Sequence, residues 1–358
     1  MTGIQDWTLP YASRRSPVLG RQVVSTSQPL AAQAGLRMLL AGGNAVDAAL
    51  AAAMALTVVE PSGCGIGSDA FAIVWDGQAL HGLNASGRAP RAWTPDYFAR
   101  LGGIPDKGWN AVTVPGAVSG WIALWRRFGR LPLAQLAQPA IDYARHGFPV
   151  SPTIATLWTL GAERLGAQPG FAECFLPAGR PPRAGELFRS EAHARTLEDI
   201  VATEGESFYR GALAARMAAH ARACGGAMTE DDLGAHQADW VGTLAQRFGD
   251  SVVHEIPPNG QGIAALMALG MLDELGIGDA PVDSADSLHL QIEAMKLALA
   301  DVYHYNADID HMALAPGQLL ERGYLRQRAA LIDRQRAGEP TWGTPHFRGG
   351  QFGNGQCT

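Results

Sequence analysis

Several features that would assign the chain to a large class of protein are scarce in its sequence. Charged residues make up only 17% of the 358 residues, the formal net charge is −6, and basic residues adjoin only in isolated pairs. A nucleic-acid partner requires a basic face, so the composition argues against one. The cysteines are spaced too widely for a metal-binding pair or a disulfide framework. We expect a cytoplasmic protein whose four cysteines, Cys64, Cys174, Cys224 and Cys357, carry reduced thiols.

Export and membrane signals are also missing. The N-terminal stretch MTGIQDWTLPYASRRSPVLG has no basic segment followed by an apolar one, as a secretory signal would. The most apolar run, AVDAALAAAMALTVV (Ala45–Val59), contains Asp47 and is shorter than a bilayer span. We therefore expect no membrane partner. The run predicts a buried core helix, in which Asp47 serves as a hydrogen-bonded core carboxylate rather than as a base.

Common catalytic and metal-binding motifs are absent as well. The sequence contains no HEXXH, no P-loop and no GxSxG. Asp301, His304 and Asp308 lie near one predicted helix end, where a metal site is one interpretation and a solvated helix terminus the preferred one. We expect no metal and no cofactor. The residues alone thus describe an enzyme without a recognisable nucleophile.

Helix and strand signals are plentiful and predict a mixed α/β chain. A helical pattern from Pro29 to Ala41 ends at Gly42–Gly43, and Asn44 can cap the next helix. FAIVWDG predicts a strand with a hairpin turn at Asp76–Gly77, and LHGLNAS its return strand. Further patterns predict helices over 118–128, 133–145, 263–275, 286–304 and near 318–336, and two strands within 241–255. The strands are too few for a closed sheet.

Two glycine-rich segments invite a ligand-binding interpretation. GCGIG (Gly63–Gly67) follows a helix and precedes a strand, the reverse of a dinucleotide fingerprint, so a close backbone approach is the better use. PPNGQG (Pro257–Gly262) precedes a helix, whose N–H groups could face an anion. A plain turn is the preferred interpretation of that segment.

Long blocks of the sequence resemble the gamma-glutamyltransferase (gamma-glutamyltranspeptidase) family. The resemblance runs from STSQPLAAQAGLRMLLAGGNAVDAALAAAMALTVVEPSGCGIGSDAFAIVWDG through AVTVPGAVSGWIALWRRFGRLPLAQLAQPAIDYARHGFPVS. It resumes at GGAMTEDDLGAHQADW, PPNGQG and HLQIEAMKLALADVYHYNADID, and covers nearly all of the chain from Val23 to Asp310. The order and spacing of these blocks make the resemblance highly specific.

The resemblance implies an N-terminal-nucleophile hydrolase made as a precursor that cuts itself into two subunits. The N-terminal Thr of the small subunit attacks an amide, with its own α-amine as the base. Residues 1–358 would then be a single-domain large subunit, with residues 337–358 as a flexible tail near the cleavage site. The implied fold is a four-layer αββα sandwich completed by the small (beta) subunit. Thr358 is the one candidate nucleophile in this chain, the first small-subunit residue being preferred.

The segment GLNASGRAP (Gly82–Pro90) carries the candidate substrate contact. The resemblance implies an Arg at this place that holds the substrate carboxylate. Aligning Ala89–Pro90 with the family puts Ser86 at that position and Arg88 two residues later. A shift of two keeps the same strand face, so Arg88 could still reach the pocket. A surface or inter-subunit ion pair of Arg88 remains the alternative, and Asn84 and Ser86 are weaker pocket candidates.

This departure favours the acylase and amidohydrolase branches over strict gamma-glutamyl recognition. We expect an amidohydrolase that cleaves a small acidic amide, of the oxamate, glutaryl or gamma-glutamyl kind, through an acyl-enzyme. The alternatives are a gamma-glutamyl transferase and an unprocessed, non-catalytic binding or scaffold protein. The expected partners are the small subunit and the acidic amide, and a dimer of heterodimers is left open.

Overall fold

A computed structural model describes residues 18–345, and these form two compact units. One, here called the helical unit, comprises residues 18–71 and Asn84–Asp239; the other, the C-terminal unit, comprises Ala72–Leu83 and residues 240–345. Because the chain leaves and re-enters each unit, neither is a continuous segment. The expectation of a single domain over residues 1–358 stays a prediction.

Helices dominate the described residues. The α-helices are α1 Pro29–Leu40, α2 Ala45–Val59, α3 Pro95–Leu101, α4 Ala117–Phe128, α5 Leu133–His146, α6 Pro152–Leu165, α7 Phe171–Phe175, α8 Glu191–Ala202, α9 Glu206–Arg210, α10 Ala212–Ala223, α11 Glu230–Gly234, α12 Ile263–Glu274, α13 Ala285–Tyr305 and α14 Arg322–Ala329. The strands are β1 Ala70–Trp75, β2 Leu80–Ala85, β3 Phe148–Pro149, β4 Leu187–Phe188, β5 Asp239–Trp240, β6 Leu244–Phe248 and β7 Ser251–Glu255. Short 3₁₀ turns lie at Trp109–Ala111, Ile277–Asp279, Ile309–His311 and Pro316–Leu320.

The helical unit is built on α2, which packs against α1 and α5, while α5 also packs against α8. Asn44 and Asp47 form a reciprocal capping box at the start of α2, which satisfies two orphan N–H groups there. The second Asp47 oxygen accepts from the backbone N–H groups of Arg130 and Leu131, at 3.0 and 3.4 Å. Asp47 is fully buried, so its predicted role as a core carboxylate is confirmed.

The C-terminal unit packs α12 against α13, α14 and strand β6. Strands β6 and β7 pair antiparallel, with Leu244 opposite Glu255 and Phe248 opposite Ser251. The predicted tight turn between β1 and β2 lies in this unit, and its Asp76 carboxylate accepts the N–H groups of Gln78 and Ala79 at 2.8 Å. The sheet order is β1-β2-β5.

The mixed α/β class and most of the predicted elements are confirmed, with helix ends within two residues of the predicted ones. The helix predicted near residues 318–336 is wrong in extent, because only Arg322–Ala329 is α-helical and a 3₁₀ turn precedes it. The thiols of the three cysteines in the described range, Cys64, Cys174 and Cys224, are free. Within residues 18–345, no helix is both long and apolar enough to cross a membrane.

Candidate functional site

The loop after strand β2 fixes the backbone of the candidate arginine. The strand ends at Ala85. The backbone of Gly87 then has φ +79°, a conformation that residues other than glycine rarely adopt. A Cβ at Gly87 would collide with the Val114 carbonyl. The argument that Arg88 shares a strand face with Ser86 is therefore wrong, because the chain turns between them. The Arg88 carbonyl instead accepts from the Val114 N–H at 2.9 Å.

The Arg88 side chain reaches an aspartate that is distant in sequence. Its Nη2 donates to Oδ2 of Asp239, at the start of β5, at 3.0 Å, and the two side chains are 58% and 44% exposed. Of the other two candidates, Asn84 lies near the end of β2 and Ser86 in the loop, and the Asn84 Oδ1 accepts the Ser86 N–H at 3.0 Å. Asn84 therefore shapes the turn that leads to Arg88. The assignment of all three as substrate contacts stays a prediction.

A buried histidine lies three residues before Asp239 in the chain. His236 is only 4% exposed, and its Nε2 lies 2.9 Å from the Ser119 Oγ. The Ser119 hydroxyl donates its one proton to the Gly116 carbonyl. The His236 Nε2 is therefore the donor in its hydrogen bond to Ser119, and Nδ1 carries no proton and can only accept. Among residues 18–345, no donor meets that Nδ1. Burial, with the charge of Arg88 second, lowers the pKa of His236 to about 4.

Tyr209 forms hydrogen bonds to the backbone at the start of α4, where Ser119 lies. Its hydroxyl donates to the Pro115 carbonyl at 2.8 Å and accepts the Ser119 N–H at 3.0 Å. Burial raises the pKa of Tyr209 to about 12, so the phenol keeps the proton that it donates. At Gly116, a Cβ would collide with the Ala85 carbonyl. The loop after β2 and the start of α4 therefore pack backbone to backbone, which gives Arg88 a rigid base.

The predicted group at the end of α13 divides into one buried and two exposed residues. Asp301 is fully buried and accepts from Arg328 Nε at 3.0 Å, Tyr324 Oη at 2.9 Å and the Gly343 N–H at 2.7 Å. The His304 ring stacks on Trp342. The preferred interpretation of a solvated terminus is therefore wrong for Asp301, which is a core ion-pair partner, whereas His304 and Asp308 are exposed as it predicts. Across residues 18–345, no three His, Cys, Asp or Glu side chains converge as metal ligands would.

Two candidates remain, the PPNGQG segment and Thr358. At the start of α12 the Glu255 side chain packs against Gly262, where a Cβ would collide with its carboxylate. The plain-turn interpretation of PPNGQG stays a prediction. Thr358 lies outside the described residues.

Sequence reasoning did not single out Asp239 or His236. Both lie in GAHQADW, but the Arg88–Asp239 contact joins residues 151 positions apart. Local pattern says nothing about such a pair, and opposite charge was the only signal available.

The fold and site together describe a helix-rich α/β protein with an exposed arginine on a rigid loop, paired with an aspartate at the start of β5. The sequence pattern of the family described as gamma-glutamyltranspeptidase matches residues 31–353. The match covers most of the chain, and the chain therefore belongs to the gamma-glutamyltranspeptidase family.

Individual relatives carry different activities in their names. The oxamate amidohydrolase proenzyme of Klebsiella pneumoniae is 38% identical over 322 residues, which cover 88% of this chain and 60% of that protein. The cephalosporin acylase of Bacillus halodurans superposes with a TM-score of 0.86 at 44% identity, covering 96% of this chain and 65% of that one. The chain spans about three fifths of the length of the curated relatives that it matches.

The gamma-glutamyltranspeptidase of Helicobacter pylori superposes with a TM-score of 0.87 at 26% identity. The alignment covers 93% of this chain and 100% of the solved chain. The fold is that of gamma-glutamyltranspeptidases, as the sequence resemblance implied.

Proposed function

We propose that the chain is the substrate-binding large subunit of an amidohydrolase that cleaves a small acidic amide. The exposed guanidinium of Arg88 carries the proposal, because it stands on a rigid loop and can grip a carboxylate through two parallel hydrogen bonds. The names of the K. pneumoniae and B. halodurans relatives support an amide-cleaving enzyme. The identity of the acid is left at the class of small carboxylates.

The proposed reaction follows the chemistry of N-terminal-nucleophile hydrolases. The hydroxyl of an N-terminal Thr attacks the amide carbon while its own α-amine takes the hydroxyl proton. That proton passes to the leaving amine as the C–N bond breaks, and water then cleaves the acyl-enzyme ester. Arg88 would hold the far carboxylate of the acyl group, so that the reacting carbon stays within reach of the hydroxyl. The nucleophile would be the first residue of the small subunit, or Thr358.

A small subunit from the same precursor is the proposed partner. Support comes from the name proenzyme among the relatives, from the three-fifths coverage, and from the match to a whole solved chain of the H. pylori enzyme. A further indication is strand β1, where Ile73 and Trp75 are exposed on the same face. Such an apolar strand face is typical of a surface that another element covers.

Replacement of Arg88 by Met tests the substrate contact. In the full gene product, Arg88→Met should raise KM for an acidic amide about 10- to 100-fold and change kcat little, since it removes a charge-assisted hydrogen bond made in ground and transition state alike. Arg100→Met, on the exposed surface of α3, is the matched control. An unchanged KM would return Arg88 to the role of a surface ion pair.

A gamma-glutamyl transferase is the second candidate, favoured by the match to the whole H. pylori transpeptidase chain. Release of anilide from a gamma-glutamyl anilide, with and without glycylglycine, separates the two activities. Stimulation by glycylglycine with formation of the gamma-glutamyl tripeptide supports the transferase, and unstimulated hydrolysis supports the hydrolase.

A non-catalytic scaffold protein would stay unprocessed. A denaturing gel of the full gene product decides this point, since a single unbroken band after long incubation would rule out a processed enzyme. The cytoplasmic location, the flexible tail over residues 337–358 and a dimer of heterodimers stay predictions.

A further inference from the structure

The side chain of Arg88 needs a partner to hold one orientation. Its backbone is fixed on both sides, by Gly87 and by the hydrogen bond from Val114, but its side chain is 58% exposed. A long, exposed arginine samples many rotamers, and each hydrogen bond to a ligand must then overcome that conformational entropy. The rigid loop alone therefore does not explain how the guanidinium would be ready for a carboxylate.

Asp239 restricts this freedom from one side. Its Oδ2 accepts from Nη2 of Arg88 at 3.0 Å, a contact that uses one of the five N–H donors of the guanidinium. The donors form a planar fork, so a carboxylate on another edge can still bond to two of them in parallel. The pair is thus compatible with a second, incoming carboxylate.

The position of Asp239 is itself well defined. Three residues earlier, His236 is buried, bonds to Ser119 and lies 5.4 Å from the ring of Tyr209, measured between ring centroids. The segment that carries the aspartate therefore starts from the core of the helical unit. An aspartate placed in this way can orient a flexible partner, whereas one on a mobile loop cannot.

We propose that Asp239 is a positioning residue that holds the Arg88 guanidinium ready for the substrate carboxylate. This inference rests on the proposed function, in which Arg88 binds that carboxylate. The side-chain entropy of Arg88 is then lost on folding rather than on binding, which tightens substrate binding without changing the chemical step. An exposed ion pair stabilises a fold very little, so loss of Asp239 should act on KM rather than on Tm.

A double-mutant cycle tests the proposal in the full gene product, with KM, kcat, Tm and processing measured for each variant. Asp239→Ala should raise KM for an acidic amide about 3- to 10-fold, with kcat and Tm little changed. The same substitution in the Arg88→Met background should raise KM no further. An amide whose acyl chain ends in a neutral carboxamide should show no effect of Asp239→Ala.

Each other outcome has a definite meaning. An equal rise in KM in both backgrounds, an equal rise for the neutral amide, or a fall in KM would overturn the positioning role. If Arg88→Met raises KM and Asp239→Ala does not, this inference fails and the proposed function stands. If Arg88→Met itself leaves KM unchanged, the proposed carboxylate contact fails. Asp239→Asn, which keeps an acceptor at the same place, should lose less than Asp239→Ala, and it carries the test if the alanine variant does not fold.

Discussion

Two histidines of the helical unit, His236, which is buried, and His193, which is half-buried, are held neutral by their surroundings. Burial lowers the pKa of both His193 and His236 to about 4. The His193 Nε2 lies 3.1 Å from the Thr57 Oγ1, whose proton goes to the Met54 carbonyl, so His193 is the donor. Each imidazole thus supplies a hydrogen bond to a hydroxyl in its neutral form. Protonation adds a buried charge without adding a partner.

We expect the Tm to fall as the pH drops from about 6.5 towards 4. In that window the histidine side chain binds a proton in the unfolded protein but not in the folded one, so a lower pH favours unfolding. Each histidine would contribute about 2 kcal/mol of destabilisation at pH 5. His193→Gln should lower the Tm at pH 7.5 but make its further fall to pH 5 clearly smaller. His311→Gln, which replaces an exposed side chain, is the control. An equal fall in Tm between pH 7.5 and pH 5 in the unsubstituted protein, His193→Gln and His311→Gln would contradict the prediction.

At the scale of elements, the segment 338–343 is tied to helix α13. Glu293 accepts the Gly338 N–H at 3.0 Å, Asp301 accepts the Gly343 N–H at 2.7 Å, and Tyr305 donates to the Gly343 carbonyl at 2.7 Å. The anchor is buried, since Asp301 also pairs with Arg328 of α14. These bonds lie at the start of the predicted tail, whose residues beyond 345 are outside the described range.

Loss of the Asp301 charge should be costly. Asp301→Ala leaves the Arg328 guanidinium buried without its counter-ion, which typically destabilises a fold by about 3–5 kcal/mol. We expect a large fall in Tm, and a partial recovery when Arg328→Met is added, because the double variant buries no unpaired charge. Glu206→Gln, which breaks an exposed pair with Arg210, should change the Tm little. A small effect of Asp301→Ala would contradict the role of this pair as an anchor.

At the scale of the whole molecule, the proposed partner would bury apolar side chains that are exposed on this chain alone. Ile73 and Trp75 are exposed on β1, although strands usually turn such side chains towards a core. If a second subunit covers this face, a charge there would be buried in the assembled protein.

We expect Ile73→Asp in the full gene product to lower the Tm and the yield of assembled protein, measured by scanning fluorimetry and gel filtration. Leu160→Asp, at an exposed position of α6, is the matched control and should leave both unchanged. Equal behaviour of the two variants would contradict a covered β1 face.

Local chemistry made much of the fold predictable from the sequence. Asn44 with Asp47, Gly42–Gly43 and the Asp76–Gly77 turn are signals carried by adjacent residues, and each one is found in the structure where expected. The ordered family blocks were likewise sufficient to indicate the gamma-glutamyltranspeptidase family and its fold. Within the candidate site, the sequence identified Arg88 but placed it on a strand that ends three residues earlier.

Only the tertiary structure decided which charges meet and which are buried. The pairing of Arg88 with Asp239 and of Asp301 with Arg328 joins residues far apart in the chain. The same acidic residue types therefore form an exposed pair at Asp239 and a core ion pair at Asp301. The physical reason is that burial and long-range pairing depend on how elements pack, whereas caps, turns and periodicity depend only on neighbouring residues.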